Sequence, residues 1–407
     1  MLVAAVDWYR LGMITERLDV LVVGAGAAGM MCAIEAGRRG RSVRVIDHAR
    51  APGEKIRISG GGRCNFTNLG TGPGNFLGEN PRFATSALKR FTQHDFIKRV
   101  DRAGIAWHEK TLGQLFCDDS ARQIVRMLTD DMAAAGVSLS LGSAVAEVAR
   151  DGDGFHATLS DGTAVRAASL VLATGGKSIP KMGATGWAYE TARGFGLRMT
   201  ETRPALVPLT FDPDWLARWS PLAGLSVDAV VACGRTRFRE GLLFTHRGLS
   251  GPSILQISSF WREGEAITVA MAPDADVFSE LKALKAVNGR QAPHTALARL
   301  APARLAERLV EAEGLAGNLA DAPDAALRRL DAAVNGWTVK PVGSEGYRTA
   351  EVTLGGVATD QLDQQTLQAR SVPGLFVIGE AVDVTGWLGG YNFQWAWSSG
   401  WAAGQVC

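Results

Sequence analysis

The stretch Asp19–Gly29, DVLVVGAGAAG, decides the fold. Its first half is a near-continuous apolar run that ends at a glycine, which is how a strand buried on both faces of a parallel sheet reads. Gly24, Gly26 and Gly29 then have the spacing GxGxxG, with Ala27 and Ala28 between the last two. The first glycine permits a tight turn, the second lets a pyrophosphate approach the backbone, and the third lets the helix pack on the strand. The helix start offers free N–H groups and a positive dipole end to phosphate. Helical sequence follows (MMCAIEAGRRG), then a second strand, SVRVIDHA, ending at Asp47, 18 residues beyond Gly29. An acid at that point takes the ribose hydroxyls of an adenine dinucleotide. Asp47 and the adjoining His48 are therefore assigned to the site. Strand, turn, helix, strand and acid in this order predict an α/β dinucleotide-binding domain; FAD and NAD are not distinguished by these residues.

The chain has 407 residues, 46% of them hydrophobic and 21% charged, the balance of a globular protein of two or three domains. A net charge of only +2 argues against a dedicated nucleic-acid binder, so no nucleic-acid partner is expected. Arginine far outnumbers lysine, which fits the codon bias of a GC-rich bacterial genome. Cys32, Cys64, Cys117, Cys233 and Cys407 form no CxxC pair, so no metal site is expected, and the scatter fits a reducing cytoplasm. No apolar run reaches the ~18 residues of a spanning helix, and no membrane partner is expected. Residues 1–16 read as a disordered extension, and Met13 is an alternative start.

Further stretches carry long motifs. LVLATGG, Leu170–Gly176, is an apolar strand ending in a glycine turn, with Thr174 and Gly175 at its end. KIRISGGGRCNFTN, Lys55–Asn68, puts three glycines beside Arg63, so that backbone can lie close to something flat or phosphorylated. PGLFVIGEAVDVTGWLGGYNFQWAWSSGWAAG, Pro373–Gly404, holds another buried strand ending at Gly379-Glu380, then the doublet Gly389-Gly390 opening a helix. Together these resemble the HI0933-like (YhiN/BaiN-type) flavoproteins over nearly the whole chain. That family includes NAD(P)/FAD-dependent oxidoreductases and aminoacetone-oxidase-like FAD enzymes. The WLGGYN form of this chain suggests a sub-branch apart from members with a bile-acid activity.

The resemblance implies FAD as cofactor. It implies that Lys55, Ser59, Gly60, Gly61, Arg63, Cys64 and Asn65 run along the pyrophosphate and isoalloxazine, and that Glu380 meets the ribityl chain. It places the helix start at Tyr391, Asn392 and Phe393 against the flavin, where the dipole stabilises negative charge on reduction. By analogy with other FAD folds, the Val145 backbone contacts the adenine. Cys64 has no partner cysteine within a few residues and is assigned to packing. Trp387, Trp395, Trp397 and Trp401 are likewise read as core rather than as a stacking platform. His246 and Arg247 are read as a loop pair outside catalysis, and no residue pair identifies a proton donor.

The organisation expected is a split Rossmann-like FAD-binding domain, residues 17–203 and 338–407. Between its halves lie an inserted β-subdomain, 204–273, and a helical subdomain, 274–337. No second GxGxxG is present, so NAD(P)H is expected only as a transient electron donor. The resulting reading is an FAD-dependent reductase or oxidase acting on a small organic substrate. The alternatives are a flavoprotein acting on tRNA and a non-catalytic flavin-binding sensor. Oligomeric state is left open.

Overall fold

A computed structural model describes residues 14–152 and 154–407. The chain forms two compact units, one from residues 14–203 with Val352–Cys407 and one from Pro204–Glu351. Residues 1–13, including the alternative start, lie outside the described residues. Ile14–Glu16, expected in a disordered extension, instead begin the first strand, Ile14–Val23, and pair with Ala164–Val165.

The first unit is built on a parallel sheet. Its strands run in the order Ser138–Leu141, Val43–Asp47, Ile14–Val23, Ala164–Leu172. Val20 faces Val43 on one side and Ser169 on the other. Val20, Val22, Val45 and Leu170 are fully buried, because helices cover both faces of a parallel sheet. The strand Ala164–Leu172 has two neighbours on its far side. Its first half pairs antiparallel with Gly154–Leu159, part of a meander that includes Val145–Asp151. Its second half pairs parallel with Leu375–Val377, the strand by which the chain returns. The meander is joined through Asp161-Gly162, with Gly162 at φ +86°.

Two helices lie together in this unit: the first, Ala27–Arg38, and the last, Tyr391–Gly404. Small residues set their separation. A Cβ added to Gly400 would stand 2.4 Å from the Ala28 carbonyl oxygen, and one added to Gly404 would stand 2.7 Å from that of Cys32. Both contacts advance four residues together, so the helices run in the same direction and start on the same side. Trp395 and Trp397 are buried in this layer; their indole N–H groups donate to Gly379 O (2.9 Å) and Phe66 O (2.8 Å). Trp397 stacks on Phe96 with centroids 4.3 Å apart, and Trp401 on Phe91 at 6.0 Å. These rings pack the helix against its own domain.

The second unit holds a seven-stranded antiparallel sheet with Ser226–Cys233 and Thr236–Thr245 at its centre. Helices Val277–Asn288, Ala303–Ala312 and Asp324–Asn335 belong to the same unit, each burying an apolar stripe such as Leu327, Leu330 and Val334. The first unit resumes at Val352 rather than at 338, because Trp337–Val339 and Gly343–Ser344 are strands of the second unit's sheet.

Candidate flavin site

The glycine turn gives the site its floor. Gly24 has φ +115°, and a Cβ there would meet the Ala173 carbonyl oxygen at 2.4 Å, so only glycine fits between two strands. A Cβ on Gly29 would strike Gly24 O at 1.9 Å. Gly26 differs: a Cβ there would meet nothing within 4 Å, so the backbone at the helix start borders open space. No side chain caps this helix. The first intrahelical bond runs from Met30 N–H to Gly26 O, which leaves the N–H groups of Ala27, Ala28 and Gly29 for a ligand.

A cleft of about 160 Å³ is lined by Gly24, Asp47, His48, Val145, Thr174 and Trp187, among others. Asp47 is oriented by the N–H groups of Ala25 (2.7 Å to Oδ2) and Ala49 (2.9 Å to Oδ1), and each oxygen keeps acceptor capacity. The His48 ring lies against Gly183, where a Cβ would stand 2.3 Å from Nε2. Ser143, Ala144, Thr185 and Trp187 also line the cleft and were missed in the sequence. They follow no motif and arrive there only through the fold.

Lys55 and Glu380, 325 residues apart, form an ion pair of 2.8 Å. Lys55 also donates to Ser178 Oγ (2.6 Å), and Ser178 Oγ and the Thr353 N–H both bond Glu380 Oε1 (3.1 and 2.9 Å). Glu380 is thus anchored by three partners, with its side chain 18% exposed. Gly379 touches the start of the first helix, since its Cβ would lie 2.9 Å from the Ala28 Cβ. Gly175 borders the Glu380 carboxylate.

The SGGG segment begins as a helical turn at Glu54 and leaves it at Ser59 (ψ 146°). Gly60, Gly61 and Gly62 then take φ of +57°, +67° and +87° in succession, and a Cβ on Gly61 would meet nothing. Arg63 is exposed and makes no ion pair among the described residues. Cys64 is fully buried, and burial pushes its thiol up to about 12, so it is no thiolate at neutral pH. The segment meets the helix start: a Cβ on Gly390 would strike Thr67 O at 2.5 Å and Asn65 Oδ1 at 2.8 Å. Gly389 lies against Gln114, whose amide is bonded to Asn65.

At the start of the last helix, Tyr391 is buried, edge-on to Phe76. Asn392 is a clamp, accepting from Gly386 N–H (2.8 Å) and donating to Gly386 O (2.9 Å) and Trp387 O (3.2 Å). Phe393 stacks on Trp397. His246 and Arg247 lie in the second unit on an exposed turn.

These residues fit a flavin dinucleotide. An uncapped helix start beside an open glycine, an acid at the next strand end and an exposed left-handed glycine run supply an anion seat, a ribose acceptor and a flat backbone surface. Residues able to hold the group therefore come from several well-separated stretches of chain. Among the described residues, no helix is long and apolar enough to cross a membrane.

The sequence profile of the HI0933-like protein Rossmann domain matches residues 18–406. The chain is 51% identical to the ribosomal RNA dihydrouridine synthase of Escherichia coli (strain K12), over 96% of this chain and 98% of that protein. It is 30% identical to the 3-dehydro-bile acid delta(4,6)-reductase of Clostridium scindens, over 95% of this chain and 98% of that protein. Among solved structures, the 3-ketosteroid-delta4-(5alpha)-dehydrogenase of Rhodococcus jostii RHA1 aligns with a TM-score of 0.51 at 18% identity, covering 98% of this chain and 99% of that one; the likeness is one of fold. The expectation of no nucleic-acid partner is corrected here, because a relative this similar over its full length is named for an RNA substrate. A near-neutral net charge does not exclude such a partner, because it sums the whole surface and says nothing of local complementarity. With the motifs, the cradle and the profile in agreement, the chain belongs to the HI0933-like family and is an FAD-dependent oxidoreductase.

Proposed function

We propose that this enzyme reduces a uridine of ribosomal RNA to dihydrouridine, with FAD as hydride carrier and NAD(P)H as electron donor. The observation that carries the reading is the 51% identity to the Escherichia coli protein across essentially both full lengths. The family profile spans residues 18–406 as well, so it takes in every stretch of the candidate cofactor site. The relative from Clostridium scindens supports the same chemistry on another scaffold of substrate, a carbon–carbon double bond conjugated to a carbonyl. The C5=C6 bond of uracil, conjugated to its C4 carbonyl, is of that kind.

Bound FAD supplies the hydride acceptor and donor. The chain's own residues hold and exclude. Asp47 takes the adenosine ribose, and the Ala27, Ala28 and Gly29 amides take the pyrophosphate. Val145 and Thr174 wall the adenine end. The glycines 60–62 let the backbone lie along the cofactor without side-chain interference. Glu380, fixed by Lys55, Ser178 and Thr353, would hold the ribityl linker of the bound cofactor. The Gly389-Gly390 turn opens the last helix, whose N-terminal dipole would stabilise negative charge on a flavin held there.

The test is direct. The FAD-loaded protein is incubated anaerobically with NADPH or NADH and with ribosomal RNA transcribed in vitro, and nucleosides are analysed by mass spectrometry. Dihydrouridine at a single position, formed with matching nucleotide oxidation, is expected. Reduction of a 3-oxo-4,6-diene bile acid with no dihydrouridine in RNA would replace the RNA reading with a small-molecule one. A flavin that neither nucleotide bleaches would remove NAD(P)H as the donor.

A further inference from the structure

The flavin site uses none of the five cysteines as a reactive group, yet two of them touch. Cys32 lies on the first helix and Cys407 just beyond the end of the last, 375 residues apart in sequence. Their Sγ atoms are 3.8 Å apart, at the seam where Gly404 brings the two helix backbones together. Both are buried, Cys32 at 0% and Cys407 at 5% exposure. Arg39 holds the segment in place, its guanidinium donating to Gly404 O and Cys407 O, each at 3.0 Å.

We propose that Cys32 and Cys407 are an oxidation site, a thiol pair that hydroperoxides convert to an intrachain disulfide joining the first and last helices. The partner of the reaction is hydrogen peroxide or an organic hydroperoxide. The Cys407 sulfur attacks the O–O bond; an S–O bond forms, the O–O bond breaks, and hydroxide leaves. Cys407 is then a sulfenic acid, oxidised by two electrons, and the peroxide is reduced. The Cys32 sulfur attacks that sulfur, the S–S bond forms, and the hydroxyl leaves with the thiol proton as water. The sum is two thiols and one hydrogen peroxide giving one disulfide and two waters.

The chemistry around the other thiols sets this pair apart. Burial pushes Cys64 and Cys117 up to about 12, and burial with the nearby Glu265 raises Cys233. Cys407 moves the other way: the contact with the Cys32 thiol and the nearby Arg39 charge both favour its thiolate. Cys32 is raised by its contact with the Cys407 sulfur and by its complete burial. The Arg39 guanidinium bonded to Cys407 O, and the slight exposure of Cys407 against none for Cys32, assign the nucleophile to Cys407 and the resolving thiol to Cys32. The cross-link would tie the middle of the first helix to the end of the last, two parallel helices whose starts would hold the cofactor.

The experiment treats the full-length, FAD-loaded protein with graded hydrogen peroxide, then counts thiols after unfolding and maps peptides without reduction. The five thiols of the chain should fall to three. A single cross-linked peptide pair should contain Cys32 and Cys407, and dithiothreitol should cleave it and restore all five thiols. The melting temperature of the oxidised protein should rise by roughly 5 °C or more, because the bond closes a very long loop. Cys407→Ser should abolish the cross-link, and Cys32→Ser should leave a trappable sulfenic acid at Cys407. All five thiols surviving the treatment, a cross-link mapped elsewhere, or over-oxidation of Cys407 with Cys32 free would each overturn the proposal.

Discussion

Gly400→Ala sets two effects of opposite sign against each other. By helix propensity alone, alanine in the middle of Tyr391–Gly404 should stabilise the protein by about 1 kcal/mol. The structure predicts the reverse. The new Cβ would stand 2.4 Å from the Ala28 carbonyl oxygen and 3.0 Å from the Met31 Cβ. Ordinary contact begins near 3.4 Å, so the two helices must part by about 1 Å. The obstructing atom is backbone and cannot rotate away. Overpacking of this kind costs ~3 kcal/mol at the upper end of its range, leaving a net loss of ~2 kcal/mol after the propensity gain. For a unit of this size that is a fall in melting temperature of roughly 4–8 °C. The displacement also falls on Ala28, whose amide lies in the uncapped first turn, so FAD affinity should weaken several-fold. Melting followed by circular dichroism and by flavin fluorescence, with FAD titration of the apoprotein, reads both quantities. A Gly400→Ala protein that melts higher and binds FAD unchanged would refute the close helix contact and the seat built on it.

Three other outcomes are expected. Glu380→Gln leaves the Lys55 ammonium without its anionic partner; with both side chains partly exposed, the loss is ~1–2 kcal/mol, and the Lys55→Met/Glu380→Gln double variant should lose less than the sum of the singles in denaturant titration. Cys64 is raised from 9.0 to about 12 by burial, so its contribution is whole below pH 9 and is lost as pH rises toward 12. Between about pH 9 and 10.5 that is ~2 kcal/mol, and Cys64→Ala should show a correspondingly flatter alkaline stability profile. Leu112 is 64% exposed at φ +56°, so Leu112→Gly should be neutral or raise stability by up to ~1 kcal/mol; a clear loss would mean that the side chain makes a contact its exposure denies.

The sequence by itself determined the dinucleotide turn, the acid after it and the family. Each is a local demand: a backbone that must turn, approach phosphate or pack closely tolerates only glycine, and that leaves a readable spacing. It also carried Cys64 as a packing residue, since a lone thiol in a glycine-rich turn has nothing to react with nearby. Tertiary structure decided what depends on residues far apart. Lys55 and Glu380 are separated by 325 positions, and their supports Ser178 and Thr353 lie in two further segments, so no window of sequence contains the group. The return of the chain at Val352 was hidden because Trp337–Val339 is a short strand that finds its partner only in the second sheet. Cys32 and Cys407 looked scattered along the chain. They meet because Gly400 and Gly404 let two helix backbones come closer than any side chain would allow.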